Sequence, residues 1–397
     1  MPIVLTKPQQ YNGTCKGKRT EIAKKDICFY RNYTNGGNVM KKKIASVVLG
    51  TAMAASMLAG CGSSQKAAET TAAPAAESTE AAAETKAEEA SEAGSEAAAS
   101  DYEFKDTITL ICPVKAGGDT DRNTRLLAQY MQKYAGVNVV VKNVDGGATV
   151  MGMQECLDAK PDGNTLVVNG TDMFVPYMQG SSEINIDSFK TVAIPLIDNT
   201  TVLAVNKNSG WNTLEDLLKA SQAAPDSIEY GGKIGASNQI CGIAMNKEWN
   251  AGLKFVDVGN NAAKMTALLG EQTDVINISY ALATDYFSTG EFIPLCLLGS
   301  EKNELLPDVP MASDYGLADL DFSKFFWVGT SPDVPDETVD ALADVIEKVC
   351  EDPEFVSTVE GYYLTVNFMK GKEAQDFANG MYENGLLPYK DAFLAQQ

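Results

Sequence analysis

The chain has 397 residues, 45% apolar and 21% charged, enough apolar material for one large or two ordinary domains; wholesale disorder is excluded. It contains no histidine, which excludes Ser-His-Asp and Cys-His nucleophilic catalysis, His-ligated zinc and imidazole proton shuttling. A formal charge of -21 repels phosphate backbones and anionic headgroups, so nucleic acid is not an expected partner.

Met40-Lys41-Lys42-Lys43 opens a basic segment, the apolar run Ile44 to Met57 follows, and Leu58-Ala59-Gly60-Cys61 closes it. This is the pattern of a secretory signal peptide over residues 40–60, and the run is too short to read as a membrane-spanning helix. A cysteine directly after Leu-Ala-Gly resembles a bacterial lipobox, which implies lipidation of Cys61. Residues 1–39 stand upstream of that complete signal and are expected to be non-native upstream translation, with Gly36-Gly37 matching a ribosome-binding sequence in the coding DNA. Residues 61–100 are mostly Ala, Glu, Ser and Thr, without an apolar stripe, and read as a disordered tether. The expected location is extracytoplasmic, on the outer face of the bacterial cell membrane, with the lipid as the membrane contact.

Residues 101–397 hold 20 of the 32 Lys and Arg and 43 of the 53 Asp and Glu, a formal charge of -23. Their five cysteines, Cys112, Cys156, Cys241, Cys296 and Cys350, are odd in number and widely spaced, which favours buried thiols over a disulfide framework or a metal knuckle.

Elements then alternate along the chain. Ile108 to Val114 reads as a strand, followed by a helix with Leu126, Leu127, Tyr130, Met131 and Tyr134 at helical spacing. Val137 to Val144 is a strand, Ala148 to Leu157 a helix, and Thr165 to Val168 a buried strand after the turn Pro161-Asp162-Gly163-Asn164. An extended stretch, Val192 to Val205, leads to a second set: strand Ile228 to Tyr230, helix Gln239 to Trp249, strand Lys254 to Val258, helix Ala262 to Leu269 and strand Val275 to Ile278. Phe292 to Leu298 carries the chain back, Phe325 to Thr330 is a strand, and helices follow at Pro335 to Glu351 and Lys372 to Phe393. The pattern predicts an α/β chain with parallel sheets. Residues 101–204 with 299–397 form one lobe, 205–298 a second, joined by two crossing extended segments with a cleft between.

In such sheets ligands bind beyond the carboxyl ends of the strands. The loop Lys115-Ala116-Gly117-Gly118-Asp119-Thr120-Asp121 leaves the first strand and precedes a helix start, where backbone amides favour an anion. Gly146-Gly147-Ala148-Thr149, Thr171-Asp172 and Gly235-Ala236-Ser237-Asn238 recur at the same topological position. These loops offer amides, hydroxyls and carboxamides with few charged side chains, which suits binding a small carboxylate or amide-bearing solute. Each loop is equally a plausible cap or turn. No nucleophile setting is present, so no catalytic residue, metal or cofactor is expected.

At these residues the chain resembles the tripartite tricarboxylate transporter substrate-binding proteins, the Bug receptors. The resemblance runs from about Thr107 to Tyr389. It rests on Gly117-Gly118-x-x-Asp121-x-x-x-Arg125, Val140-Val141-Lys142-Asn143 with Gly146 and Gly152, Pro161-Asp162-Gly163-x-Thr165-Leu166, Leu268-Leu269-Gly270 with Asp274, and Leu306-Pro307-Asp308-Val309-Pro310. It implies a type II periplasmic-binding-protein fold closing on a small carboxylate or amino acid, with the ligand held by Ala116 to Asp121, Gly146 to Thr149 and, opposite, Gly235 to Asn238. Asp119 stands where the family usually has serine or threonine, and Val258-Gly259-Asn260 where it usually has Tyr-Lys-Gly. An added acid and a lost base weaken the case for a multiply charged anion; the alternatives are an amine-bearing ligand, a monocarboxylate, or compensation of Asp119 by Lys115.

The expected function is a lipid-anchored, monomeric receptor that captures a small organic anion or amino acid and delivers it to integral-membrane transporter subunits. The alternatives are a receptor serving another transporter or a sensor, a metal- or carboxylate-dependent surface hydrolase, and an adhesin.

Overall fold

The computed structural model describes residues 102–396. Residues 1–39, the signal peptide 40–60, Cys61 and the tether 61–100 lie outside the described residues.

Strand β1 (Ile108–Cys112) is apolar and buried at every position but Thr109. It feeds helix α1 (Asp119–Ala135), which turns Leu126, Leu127, Ala128 and Met131 inward and stops at Gly136. The φ of Gly136 is 71°, a left-handed turn that glycine adopts without a Cβ penalty. Strand β2 (Val139–Asn143), helix α2 (Val150–Leu157), strand β3 (Thr165–Asn169), helix α3 (Phe174–Gln179) and strand β4 (Lys190–Asp198) follow. β2 and β3 both pair with β1 in parallel.

The chain then crosses into a second lobe, composed of strand β5 (Thr201–Asn206), helix α4 (Leu214–Ala223), strand β6 (Glu229–Gly232), helix α5 (Ser237–Glu248), strand β7 (Lys254–Asp257), helix α6 (Asn261–Leu269), strand β8 (Val275–Ser279), helix α7 (Thr284–Ser288) and strand β9 (Phe292–Leu297). Helix α4 is absent from the expected elements, although Thr213 and Asp216 form a capping box at its start. After residues 298–323 the chain returns as β10 (Lys324–Phe325) and β11 (Trp327–Thr330). Helices α8 (Asp336–Glu351) and α9 (Pro353–Gly361), strand β12 (Thr365–Lys370) and helix α10 (Gly371–Met381) follow. A π-turn (Tyr382–Leu386) and helix α11 (Lys390–Leu394) complete the described chain, so the single helix expected over Lys372 to Phe393 is broken.

The two sheets share one plan. The first runs β10-β4-β11-β3-β1-β2 with β12 also on β4; the second runs β7-β6-β8-β5-β9. In each, a parallel trio is joined to a strand of opposite direction, β11 in the first and β5 in the second. The expectation of wholly parallel sheets is thus corrected: β5 and β11 belong to the chain as it arrives from the other lobe, so each enters from the opposite end, and β12 also runs antiparallel to β4. Val192 to Val205, expected as one extended stretch, is two strands in different sheets. The first crossing is at Asn199-Thr200 rather than after residue 204, because Asp198 Oδ1 accepts both the Thr200 N–H (2.9 Å) and its hydroxyl (2.5 Å) and turns the chain.

Asp198 and Thr200 of that turn are buried; Asp198 Oδ2 has no hydrogen-bond partner, whereas Thr200 is well bonded. The Thr200 hydroxyl lies 3.2 Å from Ser279 Oγ and accepts the Ala281 N–H at 3.4 Å. Asn303 Nδ2 donates to Asn199 Oδ1 at 2.8 Å, tying the returning segment to the outgoing one. Besides the packing within each lobe, one apolar cluster runs between them, bringing Ile111, Phe174 and Trp327 of the first lobe together with Leu203, Tyr230 and Ile240 of the second. In the first, Trp327 is fully buried, meets Phe189 edge-on at 5.5 Å and donates its indole N–H to Thr191 Oγ1 at 2.9 Å. Burying a side chain of this size contributes on the order of 3 kcal/mol. The five cysteines of the described residues are buried and free, and burial pushes the Cys241 and Cys156 thiols up to about 12.

Candidate functional site

Of the four strand-to-helix loops expected at the gap between the lobes, two meet across it and a third reaches across through Asp119. In the first, Gly117 carries a left-handed φ of 92°, and its N–H donates to Asp121 Oδ2 at 3.0 Å. Asp121 also accepts from Asn143 Nδ2 (2.8 Å) and from Arg125 Nη2 (2.9 Å), so both its oxygens are engaged inside the first lobe. Burial alone would push its carboxyl up; the Arg125, Gly117 and Asn143 donors hold it below the ordinary range. Lys115 is exposed and faces Asp145 at 3.8 Å, and Ala116 is exposed beside it. Gly118, the residue preceding α1, accepts the Arg122 N–H at 3.0 Å through its carbonyl.

Asp119 behaves differently. It is 8% exposed, its Oδ1 accepts the Thr120 N–H at 3.0 Å and, across the cleft, Asn261 Nδ2 at 3.4 Å. Its Oδ2 accepts from Lys324 Nζ. Burial would raise the Asp119 carboxyl; the Lys324 ammonium overrides that and holds it low, while Asp119 in turn keeps Lys324 above the usual lysine value against the effect of its own burial. Lys324, on β10, is therefore the compensating cation, and Lys115 is not.

The loop Gly146–Thr149 serves its own helix. Gly146 and Gly147 accept the Met151 and Val150 N–H groups through their carbonyls, both at 3.2 Å, and the Thr149 hydroxyl donates to Met153 Sδ at 3.5 Å. Ala148 and Thr149 both have left-handed φ values, 50° and 84°, a costly conformation for residues with a Cβ.

The remaining two loops meet. Ser237, at the start of α5, donates its backbone N–H to Asp172 Oδ1 at 2.9 Å. Beside it, Gly235 N–H donates to Gln239 Oε1 (2.9 Å), and Asn238 Oδ1 accepts the Lys233 N–H (2.8 Å). Ala236 is buried. Thr171 Oγ1 is buried with no hydrogen-bond partner. Thr171, Ser237, Asn277, Ser323 and Lys324 line an interlobe cavity of about 20 Å³, floored by Phe322, Met381 and Leu386. That is room for about one water. The lobes are closed on each other, and Arg122 Nη1 adds another cross-cleft bond, to the Ala281 carbonyl at 3.0 Å. A larger hollow of about 560 Å³ lies on the first lobe alone, beside α8 and α10, among Lys-Asp pairs such as Lys190–Asp336 at 2.5 Å. It is not at the carboxyl edge of either parallel trio.

The fold is matched elsewhere. A family model described as tripartite tricarboxylate transporter family receptor covers residues 124–384. The chain belongs to that family. A curated UPF0065 protein of Agrobacterium vitis is 24% identical over 260 residues, 65% of this chain and 75% of the relative. The structure of the periplasmic binding protein BugD superposes with a TM-score of 0.64 at 20% identity, covering 73% of this chain and 99% of that one. MatC of Rhodopseudomonas palustris, solved with bound malate, gives 0.63 at 18% identity over 72% and 98%. These likenesses establish the periplasmic-binding-protein fold. No helix among the described residues is long and apolar enough to cross a membrane.

Within this receptor family fold, the cleft departs from the amide-lined surface expected of the loops. Lys324, Lys264, Asn261 and Asn277 come from strands and a helix rather than from the glycine-rich turns. Lys264 was legible in one respect: it shares the buried face of α6 with Ala267 and Leu268, at i, i+3 and i+4, where a lysine is out of place. Lys324 sits beside the apolar run Phe325-Phe326-Trp327, with no comparable signal of its partner.

Proposed function

We propose that the chain is an extracytoplasmic solute receptor that captures a small carboxylate or amino acid by closing its lobes about the crossings at Asn199-Thr200 and 298–323, and catalyses no reaction. It delivers the solute to the integral-membrane subunits of a tripartite tricarboxylate transporter. Cys61 carries the lipid that anchors it, residues 61–100 form the tether, and the receptor acts as a monomer.

The observation that carries this reading is the convergence of loops from both lobes, at the carboxyl edges of two sheets, on a polar interface crossed by Ser237–Asp172 and Asn261–Asp119. The proposed ligand surface is Lys115–Asp121, Gly146–Thr149, Thr171, Asp172 and Gly235–Asn238. The malate bound to MatC, a protein of the same fold, supports a carboxylate. Thermal-shift screening of the full chain against carboxylates and amino acids tests it. A true ligand at a hundredfold excess over its Kd adds about 2.7 kcal/mol; a panel in which no solute moves the melting point sinks the receptor.

A further inference from the structure

Lys264 of α6 is 2% exposed, and an ammonium has three N–H donors. Two are spent on one residue of its own lobe, the Asn277 carbonyl at 2.6 Å and Asn277 Oδ1 at 3.2 Å. Both acceptors are neutral. Among the described residues, then, this buried cation touches no carboxylate, and one N–H has no acceptor. Burial, and after it the Lys324 ammonium, push it down to about 7, with Asp119 and Asp172 opposing from longer range. An uncompensated buried ammonium is costly, which makes it a functional-site candidate.

Its place in the fold says what would compensate it. Asn277, its acceptor, lines the interlobe cavity with Thr171, Ser237 and Lys324. One turn earlier on the same face of α6, Asn261 reaches across the cleft to Asp119. The lysine from the other lobe, Lys324, already holds a carboxylate, that of Asp119. Of the two lysines of the cleft, one is thus neutralised from within and the other is not; the third cation, Arg122, is engaged by the Ala281 carbonyl and the Tyr362 ring.

We infer that Lys264 is the counter-ion for one carboxylate of the solute, and that Asp119, by holding Lys324, restricts that solute to a single negative charge. The inference rests on the receptor reading above. A guest carboxylate accepts the third N–H of Lys264. A second carboxylate directed at Lys324 meets Asp119 instead of a free ammonium, and like charges repel strongly in a desolvated cleft. The solute class is therefore small monocarboxylates, with neutral hydroxyl or amide groups suited to the partnerless Thr171 hydroxyl.

Calorimetric titration of the full chain with pairs differing by one charge, glutaramate against glutarate and succinamate against succinate, tests this. The wild type is expected to bind a monoanion at least tenfold more tightly than its dianionic counterpart, by roughly the strength of one charge-assisted hydrogen bond. Lys264→Met and Lys264→Gln should each weaken the monoanion roughly 10- to 100-fold, and Asp119→Asn should strengthen the dianion. Gln retains a donor for Asn277, so a folding defect in the Met variant does not confuse the result; a purely structural lysine would move stability in both variants and affinity in neither. Tighter binding of a dianion by the wild type, affinities within twofold of wild type in both Lys264 variants, or binding of other solutes but of neither monoanion overturns the inference and leaves the receptor standing. If the wild type binds none of the four and no solute of the broader thermal panel, the receptor reading falls and takes this one with it.

Discussion

Ser237 donates its backbone N–H to the carboxylate of Asp172 at 2.9 Å, joining the first residue of α5 in one lobe to the loop after β3 in the other. The start of a helix is where a guest anion is favoured. In the closed cleft the chain's own carboxylate occupies that place and stabilises closure; in the proposed receptor it would compete with a guest for the same donor.

Asp172→Ala removes the competitor and the bond together. A hydrogen bond to a charged group contributes about 1.5–3 kcal/mol, so the closed fraction of the unliganded protein should fall roughly tenfold. Distances between spin labels on the two lobes check this: the unliganded variant should show a longer mean separation than the wild type. An unchanged distribution would mean that Ser237–Asp172 does not govern closure.

Asp119→Asn leaves Lys324 without its carboxylate. The loss should be about 2 kcal/mol, below that of a wholly buried pair because the Lys324 side chain is 26% exposed. The folded carboxyl lies below its ordinary value, so its contribution is present above about pH 4 and lost as pH falls through the folded value. Chemical denaturation at pH 7 and at pH 3 should therefore show the wild type and Asp119→Asn converging in acid.

Lys264→Met should raise the melting temperature of the unliganded protein by about 3 °C or more at pH 6. The folded ammonium, at about 7, lies below the ordinary lysine value near 10.4, so the fold is penalised in full below pH 7. The penalty is relieved as pH rises from about 7 towards 10, because the folded state sheds the proton first. The advantage of the variant should accordingly shrink at pH 9; a pH-independent difference would contradict a charged Lys264.

Gly152→Ala tests how closely α2 approaches β1. An added Cβ would lie 2.7 Å from Pro113 Cβ and 2.9 Å from its Cα, contacts that backbone must yield to relieve. Overpacking of this kind costs about 1–3 kcal/mol. The expected readout is a lower denaturation midpoint with an unchanged slope.

Much of the architecture is a local matter and was legible in the amino-acid order. The run Ile108 to Cys112 is apolar and β-branched, so it is a buried strand wherever it pairs, and the glycine at position 136 ends α1 because few other residues take a left-handed φ cheaply. The two-lobe plan followed from such segments and from the Pro161-Asp162-Gly163 and Leu306-Pro307-Asp308-Val309-Pro310 signatures. The antiparallel direction of β5 and β11 did not follow, since a strand's own residues carry no information about which way its neighbour runs.

The charged cleft was decided by tertiary structure alone. Asp119 and Lys324 are 205 positions apart and meet only after the chain has crossed to the second lobe and returned; Asp172 and Ser237 are 65 apart and meet after a single crossing. Local spacing reports which backbone a residue favours and which face it presents; Coulomb attraction and desolvation act through space, between groups the sequence does not place side by side. For that reason the order of residues set the frame and the small-residue turns, while the return of the chain to the first sheet brought Lys324 to Asp119, and the packing of the second lobe left Lys264 without a carboxylate.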